Sequence, residues 1–158
     1  MYIEITKQID ASSERAFRAL TDADELARWF VSSAESDPRT GGDFALMFEF
    51  EDESQNHAYA GQYEEVTPGE RVRYPWNGAF GETTVEFSVR PGSDGTEVRL
   101  VHSGWTEEAA ASRERHEQGW RFLLDNLERY LTGGEDERPA AMGMKTSPTA
   151  GASTGAGP

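Results

Sequence analysis

Ile3, Ile5 and Ile9 alternate with Glu4, Thr6 and Gln8 at the start of the chain, which is the period of a strand with one buried face. Lys7 shares the parity of the isoleucines, so it either marks a bulge or lays its stem along a sheet edge with the ammonium in water. Ser12 then caps a stretch in which Ala16, Phe17 and Leu20 share one helical face. Asp22 and Glu25 follow with capping-box spacing, ahead of an apolar stripe of Leu26, Trp29 and Phe30. The pattern predicts two short helices. From Asp43 the period returns to two: Phe44, Leu46, Phe48 and Phe50 share a face, as do Tyr59, Gly61 and Tyr63 after a polar turn. Val72, Tyr74 and Trp76, then Val85, Phe87 and Val89, then Thr96, Val98, Leu100 and His102 repeat the alternation, separated by turns at Thr67–Glu70, Asn77–Gly78 and Pro91–Gly95. Five consecutive strands with short polar connections form an antiparallel meander. Residues 107–131 then hold no proline and place Trp120, Leu123, Leu124, Leu127 and Leu131 at helical spacing, and Gly133 and Gly134 end the segment.

This order predicts an α+β fold. A sheet with one apolar face must cover it, and only the last helix is long enough. A twisted antiparallel sheet of about six strands curls around such a helix and leaves space where neither reaches. Residues 1–132 are expected to form this single domain. Residues 133–158 hold Gly, Ala, Ser, Thr and Pro without apolar periodicity and are expected to be a disordered low-complexity tail.

Charge narrows the partners. The formal net charge is −14, and the tail carries three acids against two bases, so nearly all of the excess lies on the domain. Such a surface repels phosphate backbones and anionic lipids, which argues against nucleic acid and membrane surfaces. Only Lys7 and Lys145 are lysines, and this acidic balance suggests adaptation to high salt. The absence of cysteine excludes disulfides, thiol nucleophiles and thiolate metal sites. No apolar run has the length of a membrane span and the N-terminus has no basic-then-apolar leader, so the expected location is the cytoplasm. The expected state is a monomer.

Candidate chemistry is sparse. His102 should point to the concave side, where it either orients a polar ligand atom or is satisfied by nearby backbone. His57 and His116 read as surface residues, and neither offers metal-ligand spacing, so no metal or cofactor is expected. A Ser103–His102–carboxylate triad fails because neighbours on a strand face opposite ways, and no nucleophile elbow or phosphate loop occurs. No catalytic residue is assigned. The aromatic set is more informative. Trp29, Phe48, Tyr63, Trp76, Phe87, Trp105 and Trp120 fall at inward positions, with Leu124 and His102 beside them, and either pack the core or line a cavity. Gly119, in mid-helix, signals close approach of the backbone to a ligand or to the sheet.

Several segments carry a resemblance. Ile9 to Phe17, Leu20-Thr21-Asp22 and Trp29-Phe30 resemble the opening of START-like (SRPBCC, Bet v 1-like) domains of the activator of HSP-90 ATPase homologue group. Gly61 to Val72 is similar to that group's G-x-Y-x-E-x-x-P-x-E-R-L segment, with Val72 in place of the final Leu. Gly95-Thr96-Glu97-Val98, His102 to Trp105, and Gly119-Trp120 with Leu124 and Leu127 complete the series over residues 1 to about 132. The resemblance implies a helix-grip fold and a lipid-like or aromatic small molecule held under the long helix. It also raises a stress-response co-chaperone acting on an HSP-90-type ATPase. The eukaryotic activator pairs this domain with an N-terminal one that residues 1–158 are not expected to contain, so the resemblance does not carry chaperone activation over. A cofactor-free hydrolase or cyclase is a third possibility within the wider superfamily.

Overall fold

The computed structural model describes residues 1–146. The first strand, β1 (Tyr2–Ile9), leads into α1 (Ser13–Thr21) and α2 (Ala23–Trp29). The strands β2 (Ser33–Ser36), β3 (Asp43–Phe48), β4 (His57–Gln62), β5 (Glu65–Thr67), β6 (Arg71–Gly78), β7 (Gly81–Gly92) and β8 (Gly95–Ser103) follow. A short 3₁₀ turn then opens α3 (Ala110–Thr132), and α4 (Arg138–Met142) comes last.

Alternation along each strand decides what is buried. Ile3, Ile5, Ile9, Val72, Tyr74, Trp76, Val85, Phe87, Val98 and Leu100 turn to one side of the sheet, and Trp120, Leu124 and Leu127 of α3 cover them. Trp120 packs edge-on to Phe87 at 5.7 Å between ring centroids, which fixes the helix across the middle of the sheet. Lys7 keeps its place in an unbroken β1–β8 register and pairs with Asp125 (2.8 Å) and Glu128 (3.0 Å) of α3. It is therefore the edge-strand stem, not a bulge.

The helical caps form as the sequence predicts at Ser12 and Asp22, which accept from Arg15 N–H and Glu25 N–H. The Glu25 side chain does not close a capping box. It accepts from Arg15, Arg18 and the Tyr130 hydroxyl, so it binds α1, α2 and α3 together. Burial would raise this carboxyl, but those hydrogen bonds overcome it and hold the group below its ordinary range.

Two features differ from the sequence reading. The strands form two sheets, β1-β8-β7-β6-β5 and β2-β3-β4, instead of one sheet of about six. The reason lies in β6. Glu64 N–H donates to the Arg73 carbonyl, so Arg73 faces β5; Pro75, two residues on, faces the same side and has no N–H to offer β4. The ladder stops there, although β4 still lies alongside: a Cβ on Gly61 would meet Pro75 Cγ at 3.1 Å.

The domain also continues past residue 132. Arg138 is 1% exposed and donates to the carbonyls of Val31 (2.8 Å) and Ala27 (3.0 Å) while pairing with Asp136 (2.8 Å). Met144 is buried and bridges to Phe50, and Lys145 N–H donates to the Glu49 carbonyl. Residues 133–146 thus form a strap docked on the end of β3, which corrects the tail assignment for that stretch. Residues 147–158 lie outside the described residues.

Candidate functional site

The strap, the three-stranded sheet and the middle of α3 flank a cleft, open to solvent, that no side chain fills. This cavity measures about 320 Å³. Phe30 after α2, Phe48 and Phe50 at the end of β3, and Tyr59 and Trp76 from β4 and β6 supply its aromatic walls. Trp120 and Leu123 close it from α3, Met142 from the strap. Tyr59 stacks on Trp76 with ring centroids 3.8 Å apart, and Phe30 lies parallel to Trp76 at 6.0 Å. The walls are therefore flat faces held by mutual stacking. Gly119 completes the lining, and a Cβ built on it would meet no atom within 4 Å. Its missing side chain leaves room in the cavity; it does not allow helix and sheet to touch.

Polar groups behind the walls are engaged with one another. His102, fully buried, accepts from Trp120 Nε1–H at Nδ1 (3.0 Å). Its Nε2 lies 2.8 Å from the Thr83 hydroxyl, which itself donates to the Trp76 carbonyl. Nε2 must then donate to Thr83, which fixes a neutral ring with its proton on Nε2. Burial, with the neighbouring His116, lowers the His102 pKa to about 3. His116 accepts from Trp76 Nε1–H at Nε2 (3.2 Å) and donates from Nδ1 to the Ser112 carbonyl (2.8 Å). Burial lowers its pKa as well. Both histidines are thus neutral struts that aim the indoles of Trp76 and Trp120.

Of the nine residues singled out in the sequence, Phe48, Trp76 and Trp120 line the cavity. His102 stands directly behind Trp120. Trp29 lies deeper, donating to the Ala19 carbonyl (2.8 Å), and Phe87 and Leu124 are buried in the sheet–helix core. Tyr63 shares a hydrogen bond with Ser36 (2.6 Å), whose hydroxyl also donates to Thr21 O, so its phenol ties β2 to the strand end. Trp105 packs on Phe80 and His116 at the far end of the network.

The sequence reading missed Phe30, Phe50, His57, Tyr59, Arg115, His116, Leu123 and Met142 as lining residues. His57 is exposed, as expected, yet its ring stacks on Phe48 at 4.8 Å and forms part of the rim. His116 is half-buried, contrary to expectation, because it lies one helical turn before Trp120 on the same face. That spacing was the available signal.

A second concavity, about 390 Å³, lies on the opposite face of the large sheet. Its Arg71, Arg90 and Arg99 already pair with Glu65, Glu97 and Glu4, so its charges are internally spent. Among the described residues no group of three or more His, Asp or Glu could hold a metal ion, and no helix is long and apolar enough to cross a membrane.

Comparison with known proteins agrees with this architecture. A protein of Chromobacterium violaceum of known structure is 30% identical over 82% of this chain and 96% of its own, with a TM-score of 0.72. A protein of Mesorhizobium loti shares the fold at 22% identity and a TM-score of 0.75, covering 85% of this chain and 99% of its own. An AHSA1-like protein from Aeromonas hydrophila, at 24% identity and a TM-score of 0.70, covers 84% and 93%. No curated protein matches the chain. Residues 10–132 match the family described as activator of Hsp90 ATPase homolog 1-like protein, and the chain belongs to that family.

Proposed function

We propose that this domain binds a flat, apolar small molecule in the cavity beneath the middle of α3, and that it works by binding and not by covalent catalysis. One observation carries this reading: stacked aromatic walls line an open cleft of about 320 Å³ beside a glycine whose side-chain position is vacant. A helix that needed only to pack would place alanine or a larger residue at Gly119, since glycine in a helix interior costs about 0.8–1.0 kcal/mol. The volume sits at the lower end of small-molecule sites, roughly 300–1,000 Å³, and suits a ligand of two or three fused rings. At about 0.4 kcal/mol per non-hydrogen atom, the roughly 10–14 ring atoms of such a ligand give a Kd of about 0.1–1 mM.

The chemistry of the walls supports binding over turnover. The lining contains no serine, threonine, lysine or carboxylate, and both ring nitrogens of His116 are committed to Trp76 and Ser112. Titration of the protein with flavonoids, polyketide-like aromatics and fatty acids, followed by calorimetry, tests the reading. Saturable one-site uptake of at least one aromatic class is expected, and absence of binding across the whole panel contradicts it.

A further inference from the structure

Arg115 is the charged residue of the cavity lining. The chain holds 29 acidic residues, yet no carboxylate lines the cavity, whereas Arg115 does. Arg115 has no carboxylate within ion-pair distance among the described residues. Its guanidinium makes a single side-chain hydrogen bond, to Ser112 Oγ of its own helix at 3.1 Å. Neighbouring arginines differ: Arg113 and Arg121 both reach Glu117, and Arg71, Arg73, Arg90 and Arg99 all pair on the opposite face of the large sheet. An uncommitted guanidinium at the mouth of an aromatic slot, on a protein of net charge −14, is a local reversal of sign.

We infer that the ligand is a flat aromatic anion, its rings against the aromatic walls that Phe48, Tyr59 and Trp120 present to the cavity and its carboxylate or phenolate at Arg115. This rests on the small-molecule reading above and names the ligand class. Arg115 offers a planar fork that matches a carboxylate with two parallel hydrogen bonds, and the wall faces accept rings edge-on or stacked. Metabolites that are aromatic but neutral lose the polar half of the recognition, and anions with flexible chains lose the stacking half.

Calorimetric titration of the full chain with 2-naphthoate, 2-naphthamide and decanoate tests the inference. The three probes separate charge from flatness. The naphthoate is expected to bind at least tenfold more tightly than either of the others. Arg115→Gln should remove its advantage over the amide, Arg115→Lys should restore part of it, and Arg113→Gln should leave it intact. Equal binding of naphthoate and naphthamide overturns the anion assignment while the cavity reading stands. Equal binding of decanoate overturns the flat ring system. A loss in Arg113→Gln as large as in Arg115→Gln shows a general field effect and also overturns the Arg115 contact. If none of the probes binds, the inference and the small-molecule reading fail together.

Discussion

Replacing Gly119 separates a cavity from a packing requirement. Glycine in a helix interior costs about 0.8–1.0 kcal/mol relative to alanine, because it loses more backbone freedom on folding. Gly119 lies in the middle of α3, and an added Cβ meets no atom within 4 Å. Gly119→Ala should therefore stabilise the protein by about 0.8 kcal/mol. Gly119→Leu keeps most of that helical gain and places three further carbons against Trp76 and Tyr59. Each buried methylene is worth about 0.8 kcal/mol, offset by roughly 0.5–1 kcal/mol of lost side-chain freedom, so with the helical gain the net is about 2–2.5 kcal/mol. In urea, with a slope of about 1–3 kcal/mol/M, the midpoint moves up by roughly 0.7–2.5 M. The same leucine should lower aromatic probe affinity at least tenfold. A variant that is more stable and yet does not bind has no explanation in a glycine needed for close packing. Destabilisation of Gly119→Ala by 1 kcal/mol or more refutes the reasoning, as does undiminished probe binding by Gly119→Leu. A domain acting on a chaperone through its outer surface would lose nothing when the cavity is filled.

Two further outcomes follow from the polar network and the strap. His102 has its folded pKa lowered to about 3, so its contribution is complete above the unfolded value near 6.5 and is lost as pH falls from there towards 3. Across pH 6 to 4.5 the unfolding free energy of the native protein should fall faster than that of His102→Gln by about 1.4 kcal/mol per pH unit, the weight of one proton, and equal slopes contradict the neutral strut. Arg138→Ala leaves the Val31 and Ala27 carbonyls and the Asp136 carboxylate without their partner, and should cost about 3 kcal/mol by chemical denaturation. A cost below about 0.5 kcal/mol would mark the strap as loosely attached.

Long, strictly alternating segments were legible in the sequence. β3, β6 and β7 each carry three large apolar residues at period two, β8 carries Val98 and Leu100 between Thr96 and His102, and α3 carries its stripe at spacings of three and four. β2 and β5 were not, because Ser33–Ser36 and Glu65–Thr67 contain almost no apolar side chains and form only where β3 and β6 offer a partner edge. The strap was hidden by composition, since alanine and glycine give no periodicity. Local signals did exist, with Pro139 in the first turn of α4 and Gly143 at its end in the left-handed region, the usual asymmetry of helix termini. Burial of Arg138 is a tertiary event that no local pattern announces. For the site, parity placed Phe48, Trp76 and Trp120 inside but could not separate wall from core. That distinction depends on where β4 parts from β6 at Pro75 and on where the strap ends, both set by long-range packing.

The chain's four tryptophans provide the most direct test. Trp76 and Trp120 line the cavity; Trp29 and Trp105 are buried away from it. In a nitrogen–proton correlation spectrum titrated with 2-naphthoate, the indole signals of Trp76 and Trp120 should move saturably together with the Gly119 amide, while Trp29 stays in place. Saturable binding that leaves Trp76, Trp120 and Gly119 unmoved would place the ligand elsewhere and contradict the account.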